Sequence, residues 1–172
     1  MMGIAVSIAE DIAKIEAQEQ SLRFKAFSEN DAWALGSQMR AAAEAAKLPL
    51  VIDIRIGARQ LFYTALPGSE TDQAEWVRRK SNSVMRFHKS TYLLGRKFEQ
   101  RGGGFDSSRG VDVMDYAKDG GGFPIHIEGT GVIGAICVSG VPQREDHSFV
   151  VKQLCAYLNQ DDDKLALGPE NK

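Results

Sequence analysis

Residues 132–139 read Val-Ile-Gly-Ala-Ile-Cys-Val-Ser, apolar at odd and even positions alike. A strand shows its side chains alternately to two faces, so a run without alternation has to be covered on both. This segment is expected to be the central strand of a sheet sandwiched between helices. Gly129-Thr130-Gly131 turns the chain into it from a shorter run at 123–127. A second pair lies upstream. In 50–56, Leu50, Ile52, Ile54 and Ile56 take one face, and Val51, Asp53 and Arg55 the other. Gly57-Ala58-Arg59-Gln60 then turns into a run at 61–66. Strands joined by turns this short pair antiparallel.

Helical patterns surround these pairs. Ile4, Ile8, Ile12 and Ile15 predict an amphipathic helix over about 5–20, followed by a brief extended piece at 21–24, an edge-strand candidate. Ser28, with Asp31 three residues on, predicts a capped helix carrying Trp33, Gly36, Met39 and Ala43 to about Lys47. A long helical region spans about 71–101, bent or broken near Ser90 or Gly95. The segment 102–119 is a loop too long for a mere connection. Pro142 opens a last helix, with His147, Val150, Val151, Leu154 and Leu158 on one face. The order implies an α+β fold with a mostly antiparallel sheet and helices packed on its faces, not a doubly wound parallel sheet. One domain over 1–160 is expected, with a disordered acidic tail at 161–172.

Composition narrows the function classes. A chain of 172 residues with net charge -2 lacks the basic character of a general nucleic-acid binder. Cys137 and Cys155 lie in apolar runs without metal-ligand spacing. They read as buried free thiols in a reducing compartment, with a disulfide between them as the alternative. No apolar run approaches the ~20 residues that cross a membrane, and the apolar start is too short for a signal peptide. A cytoplasmic protein is expected.

The helix around Arg78 is the best pointer to a site. Trp76, Val77, Val84, Phe87 and Leu94 share one face; Arg78, Arg79, Asn82, Arg86 and Lys89 share the other. Lys80 falls in the middle of the apolar face, where an ammonium must snorkel, find a carboxylate or lose its proton. Asp53 is a candidate partner. The arginines could fork onto carboxylates or phosphates, or form a solvated or interfacial basic face.

Other candidates have two readings each. Gly120-Gly121-Gly122 is a tight turn into a strand or a loop whose free N–H groups hold an anion. Glu145 and Asp146 either form a polar cluster at the strand end or, the reading preferred, stabilise a helix start, while His147 is either an imidazole ligand or a packed core-edge side chain. His88 lies at the border of the apolar face, and His126 is assigned to the surface or an interface. No two histidines have zinc-helix spacing, which leaves a single imidazole on haem or a loose metal. No nucleophile elbow is present.

Four segments carry a family resemblance: Trp76-Val77-Arg78-Arg79-Lys80-Ser81-Asn82, Arg86-Phe87-His88-Lys89-Ser90, Gly121-Gly122-Phe123-Pro124-Ile125, and Val138-Ser139-Gly140-Val141-Pro142-Gln143-Arg144-Glu145-Asp146-His147. Over roughly 7–160 the chain resembles the haem-degrading, HbpS-like or GlcG-like domain family, in a branch marked by the basic-helix motif. The resemblance implies a profilin-like fold and assembly into homo-oligomers.

The resulting expectation is a small-molecule binding protein for haem or another anionic ligand, with Arg79, Lys80, Arg86, His88, Gly121, Gly122 and His147 as ligand-binding residues and no metal cluster. The alternative is a non-enzymatic homo-oligomeric interaction module. Whether a reaction is catalysed stays open, because spacing assembles no acid–base pair or nucleophile. The binding reading depends on whether Lys80, Arg79, His88 and His147 line one cavity.

Overall fold

Four strands form one antiparallel sheet in the order β2-β1-β4-β3. The structure, a computed structural model, describes residues 7–170. The strands are β1 (Val51–Ile56), β2 (Arg59–Ala65), β3 (Gly122–Ile127) and β4 (Gly131–Ser139). Six helices accompany them: α1 (Ile8–Ser21), α2 (Glu29–Ala45), α3 (Asp72–Phe87), α4 (Thr91–Arg101), α5 (Gln143–Leu158) and α6 (Asp162–Leu165). None of the described helices is long and apolar enough to cross a membrane.

The central position of β4 follows from its composition. Ile136 and Val138 join Leu50, Ile52, Ile54, Phe123 and Ile125 in the core under α2 and α5. Ala135 and Cys137 face the other way, against Val51, Val77 and Val84 beneath α3. The sheet is thus the middle of three layers. Each fully buried Ile, Leu or Val contributes on the order of 1.5–3 kcal/mol, and a strand filled on both faces holds two helical layers at once.

Local signals set the boundaries. Ser7 and Glu10 form a capping box on α1, and Ser28 and Asp31 form one on α2. Ile4 lies outside the described residues. The long helical region is two helices. His88 closes α3 in the left-handed conformation, φ 54°, and donates its N–H to the Val84 carbonyl at 2.8 Å. Ser90 then caps α4 by accepting from the Leu93 N–H. The break therefore falls at Ser90, not Gly95. Gly95 stays helical, and a Cβ there would come within 2.3 Å of the Lys118 carbonyl oxygen.

Two expectations differ from the structure. The piece at 21–24 makes only an isolated parallel bridge, Phe24 with Ile127. The stretch from 161, expected to be disordered, carries α6, and Leu165 is buried in the main core. Beyond it the Gly168 carbonyl accepts from Arg144 at 2.5 Å, and Glu170 meets Arg96 at 3.1 Å. Sequence reading missed these anchors because they lie on α4 and α5. The same two arginines converge on Asp11 of α1, which is 1% exposed; Arg144 grips both its oxygens at 2.7 and 2.9 Å.

Candidate functional site

The end of β4 is where three layers open onto one another. Ser139, Gly140 and Val141 leave the sheet there, α5 begins at Gln143, and α3 passes alongside. Between them lies a cleft of about 310 Å³, walled by Gln73 and Trp76 of α3, Gln143 of α5, and Asp119 at the end of the long loop. Lys80 and Asp146 form its floor, and both side chains are 3% exposed.

Lys80 neither snorkels nor meets Asp53. Its Nζ donates to the Val138 carbonyl at 2.9 Å and to Asp146 Oδ2 at 3.2 Å. Asp53 is engaged by Arg55 at 2.7 and 3.1 Å and by Gln60 at 2.6 Å. Asp146 therefore does more than stabilise a helix start. Its second oxygen accepts from the Val141 N–H at 3.2 Å, tying α5 to the strand exit. Burial pushes the Asp146 carboxyl up to about 6, against the pull of the Lys80 charge. An ammonium has three donors, and two of those on Lys80 have protein acceptors among the described residues.

The glycines shape this floor, and two of their three N–H groups are already taken. Gly121 has φ +126°, and a Cβ there would come within 2.4 Å of the Val138 carbonyl oxygen and 2.8 Å of Lys80 Nζ. Only glycine leaves the ammonium its place. The N–H groups of Gly120 and Gly122 are already taken, by Gln143 Oε1 at 3.2 Å and Thr91 Oγ1 at 2.9 Å.

The other expected site residues disperse. Arg79 donates to the Tyr116 carbonyl at 3.2 Å, and its guanidinium covers the Trp76 ring at 4.5 Å. Arg86 donates to the carbonyls of Arg109 and Gly110 at 2.8 and 3.1 Å. Arg78 donates to the Met114 carbonyl and pairs with the Asp115 carboxylate, while Asn82 donates to the Asp115 carbonyl. The basic face of α3 thus grips the long loop. The motif showed a cationic face but could not show that the loop folds back over it.

His147 is fully buried, with its ring 5.1 Å from that of Tyr92 and Nε2 2.7 Å from Gln18 Oε1. Its Nδ1 has no partner among the described residues. Burial drives its pKa down to about 3, so the ring is neutral near pH 7. It lines no cleft. His88 lines a different cavity, of about 460 Å³, with His126, Glu16, Glu19, Arg23 and Lys89. Glu19 accepts from the Ser90 N–H at 2.6 Å, and burial raises its carboxyl to about 7. Arg79, Lys80, His88 and His147 therefore do not share one cavity. Among the described residues, no group of three or more His, Cys, Asp or Glu is arranged to hold a metal ion.

Residues 27–155 match the family model described as haem degrading protein, HbpS-like. The chain belongs to the HbpS-like family. A UPF0303 protein of Acidobacterium capsulatum is 47% identical to it over 156 residues, covering 91% of this chain and 94% of that one. A UPF0303 protein of Mesorhizobium japonicum is 46% identical, covering 96% and 99%. Among solved structures, the Ybr137w protein superposes with TM-score 0.77 at 28% identity, over 86% of this chain and 87% of that one. A PduOC–haem complex superposes with TM-score 0.66 at 19% identity, over 80% and 98%. For this HbpS-like chain the last likeness establishes the shared α+β fold and nothing finer.

Gln73, Asp119, Gln143 and Asp146 were not in the expected site. No local signal marks Gln73 or Asp119, which come from a helix and a loop end, while Gln143 and Asp146 lie in the resemblance segment 138–147 without their role being legible there. Only the placement of Lys80 in an apolar face pointed toward the cleft.

Proposed function

We propose that this HbpS-like protein binds a small polar molecule in the cleft above the Lys80–Asp146 pair. The observation that carries this reading is the buried ammonium. Removing a charge from water is costly, and here the charge forms the floor of an open cleft with one donor left for an occupant. A purely structural pair would be easier to replace, both residues together, by apolar side chains against a face that already contains Val77 and Val84.

The reading is tested through Trp76, one of only two tryptophans in the chain. In a Trp33→Phe background, a panel of small polar metabolites is titrated against Trp76 fluorescence. A saturable change that disappears in the folded Lys80→Met variant is expected. No response across the panel would remove the cleft from the account.

A haem reading is supported by the family description and by the PduOC–haem likeness. The second cavity has a suitable donor set: His88 and His126 imidazoles, with Arg23 and Lys89 for carboxylates. Its apolar walls are only Ala17, Leu93 and Pro124, and the carboxyl groups of Glu16 and Glu19 face the same space. Such walls do not fit an apolar macrocycle, and we assign it no haem chemistry. Haemin titration decides the point: a saturable Soret shift lost in His88→Ala or His126→Ala would restore haem as the ligand.

Self-association is the second reading, supported by Trp33, which is 69% exposed beside Phe62 at the outer edge strand β2. Light scattering on Trp33→Asp tests it, with smaller assemblies expected. The two buried free thiols support placement in the reducing cytoplasm.

A further inference from the structure

The charges around the cleft are unevenly distributed with depth. At the floor lie Lys80, with one N–H unaccounted for, and the start of α5. No side chain caps this helix, whose first turn carries the positive end of the helix dipole. Glu145 and Asp146 return their N–H groups to the Pro142 carbonyl. Those of Gln143 and Arg144 meet no protein acceptor among the described residues. Asp146 already balances the ammonium, so a further acceptor at this depth would complete the hydrogen bonding of Lys80 rather than neutralise it.

The mouth has the opposite sign. Glu70 and Asp72 are exposed at the entrance and Asp119 is half-buried beside them. Asp72 accepts from Trp76 Nε1 at 3.0 Å, which fixes the indole across the opening. Among the described residues none of these three carboxylates has a basic side chain within ion-pair distance, and Lys80, the only basic residue lining the cleft, is committed to Asp146. A wholly anionic ligand would have to pass and then remain beside three uncompensated carboxylates. A wholly cationic one would face the ammonium at the floor.

We propose that the cleft takes a small bipolar molecule, with an ammonium group held among Glu70, Asp72 and Asp119 and a carboxylate or hydroxyl group held by Lys80 and the open first turn of α5. This rests on the cleft being the binding site and replaces the expectation of a simple anion. A volume of about 310 Å³ accommodates roughly ten water-sized groups at ~30 Å³ each, the scale of an amino acid or amino alcohol. The buried ammonium offers one N–H to a ligand end at the floor; the acidic mouth decides what the other end carries.

Three matched probes separate the possibilities: 4-aminobutyrate, butyrate and butylamine, each titrated against Trp76 fluorescence in the Trp33→Phe protein. The expected result is that 4-aminobutyrate binds at least about tenfold tighter than either half-probe, the worth of one charge-assisted contact. Glu70→Gln with Asp119→Asn, both outside the buried pair, is expected to reduce 4-aminobutyrate binding to the level of butyrate. Butyrate binding as tightly as 4-aminobutyrate would overturn the bipolar assignment while leaving the cleft as a binding site. Indifference of 4-aminobutyrate affinity to the double substitution would also overturn it. Absence of any response to all three probes overturns it outright, and the metabolite panel then decides separately whether the cleft binds anything.

Discussion

Lys80 Nζ lies 3.2 Å from Asp146 Oδ2, across 66 residues of chain, with both side chains shielded from water. The pair joins α3 to α5 at the exit of β4. Breaking a buried pair from one side leaves an uncompensated group. Lys80→Met is therefore expected to cost about 3–5 kcal/mol. Replacing both residues, as Lys80→Met with Asp146→Leu, is expected to cost less than the two single changes summed. Urea denaturation of the four proteins checks this, and strict additivity would show that the two groups are not coupled.

Gly121 places the backbone against that ammonium. Gly121→Ala combines an unfavourable φ with a Cβ 2.4 Å from the Val138 carbonyl oxygen. A loss of at least about 2 kcal/mol is expected. Gly103→Ala, where a Cβ would meet nothing within 4 Å, is the control and is expected to be neutral or nearly so. Equal midpoints for the two variants would contradict the geometry.

His147 gives the protein a specific acid sensitivity. Its folded pKa is about 3, below the ordinary 6.5, because burial disfavours the cation. Between these values the unfolded chain binds a proton that the folded one does not. Stability from this residue is therefore complete above about pH 6.5 and is lost as pH falls toward 3. The slope is about 1.4 kcal/mol per pH unit. The stability difference between wild type and His147→Gln is expected to shrink with that slope from pH 6.5 downward and to stay flat above it. Asp146 and Glu19, whose carboxyls are raised, work in the opposite sense below about pH 6 and 7. The difference between the two proteins isolates the histidine.

Arg86 holds the long loop by two of its carbonyls, at 2.8 and 3.1 Å, with Arg86 itself exposed. Arg86→Ala is expected to change global stability by less than about 1 kcal/mol. It should nevertheless speed proteolysis within 105–116. Unchanged cleavage there would show that the other α3 side chains hold the loop alone.

Both thiols are buried and free, and burial raises their pKa, that of Cys155 to about 11. A native sample is expected to react slowly with an aromatic disulfide reagent, and a denatured one to release both thiols at once. Fast reaction of one thiol in the native state would show that its element opens.

Sequence alone was enough for the four-stranded antiparallel sheet and the helices on its faces, though not for the packed α6 segment. The unbroken apolar run of β4 requires cover on both faces, short turns require antiparallel pairing, and Ser28 marks a helix start through hydrogen bonds a few residues long. These are local or periodic constraints, so they survive translation from pattern to structure. The placement of Lys80 among apolar residues was legible for the same reason, but its partner was not. Asp53 and Asp146 are both carboxylates on neighbouring elements, and the choice between them depends on Arg55 and Gln60 occupying Asp53 and on where α5 begins. The fates of Arg79 and Arg86 were set by the folding back of the 102–119 loop, and that of His147 by Gln18 and Tyr92 closing over it. Such decisions rest on distances between segments far apart in the chain, and those exist only once the core has formed.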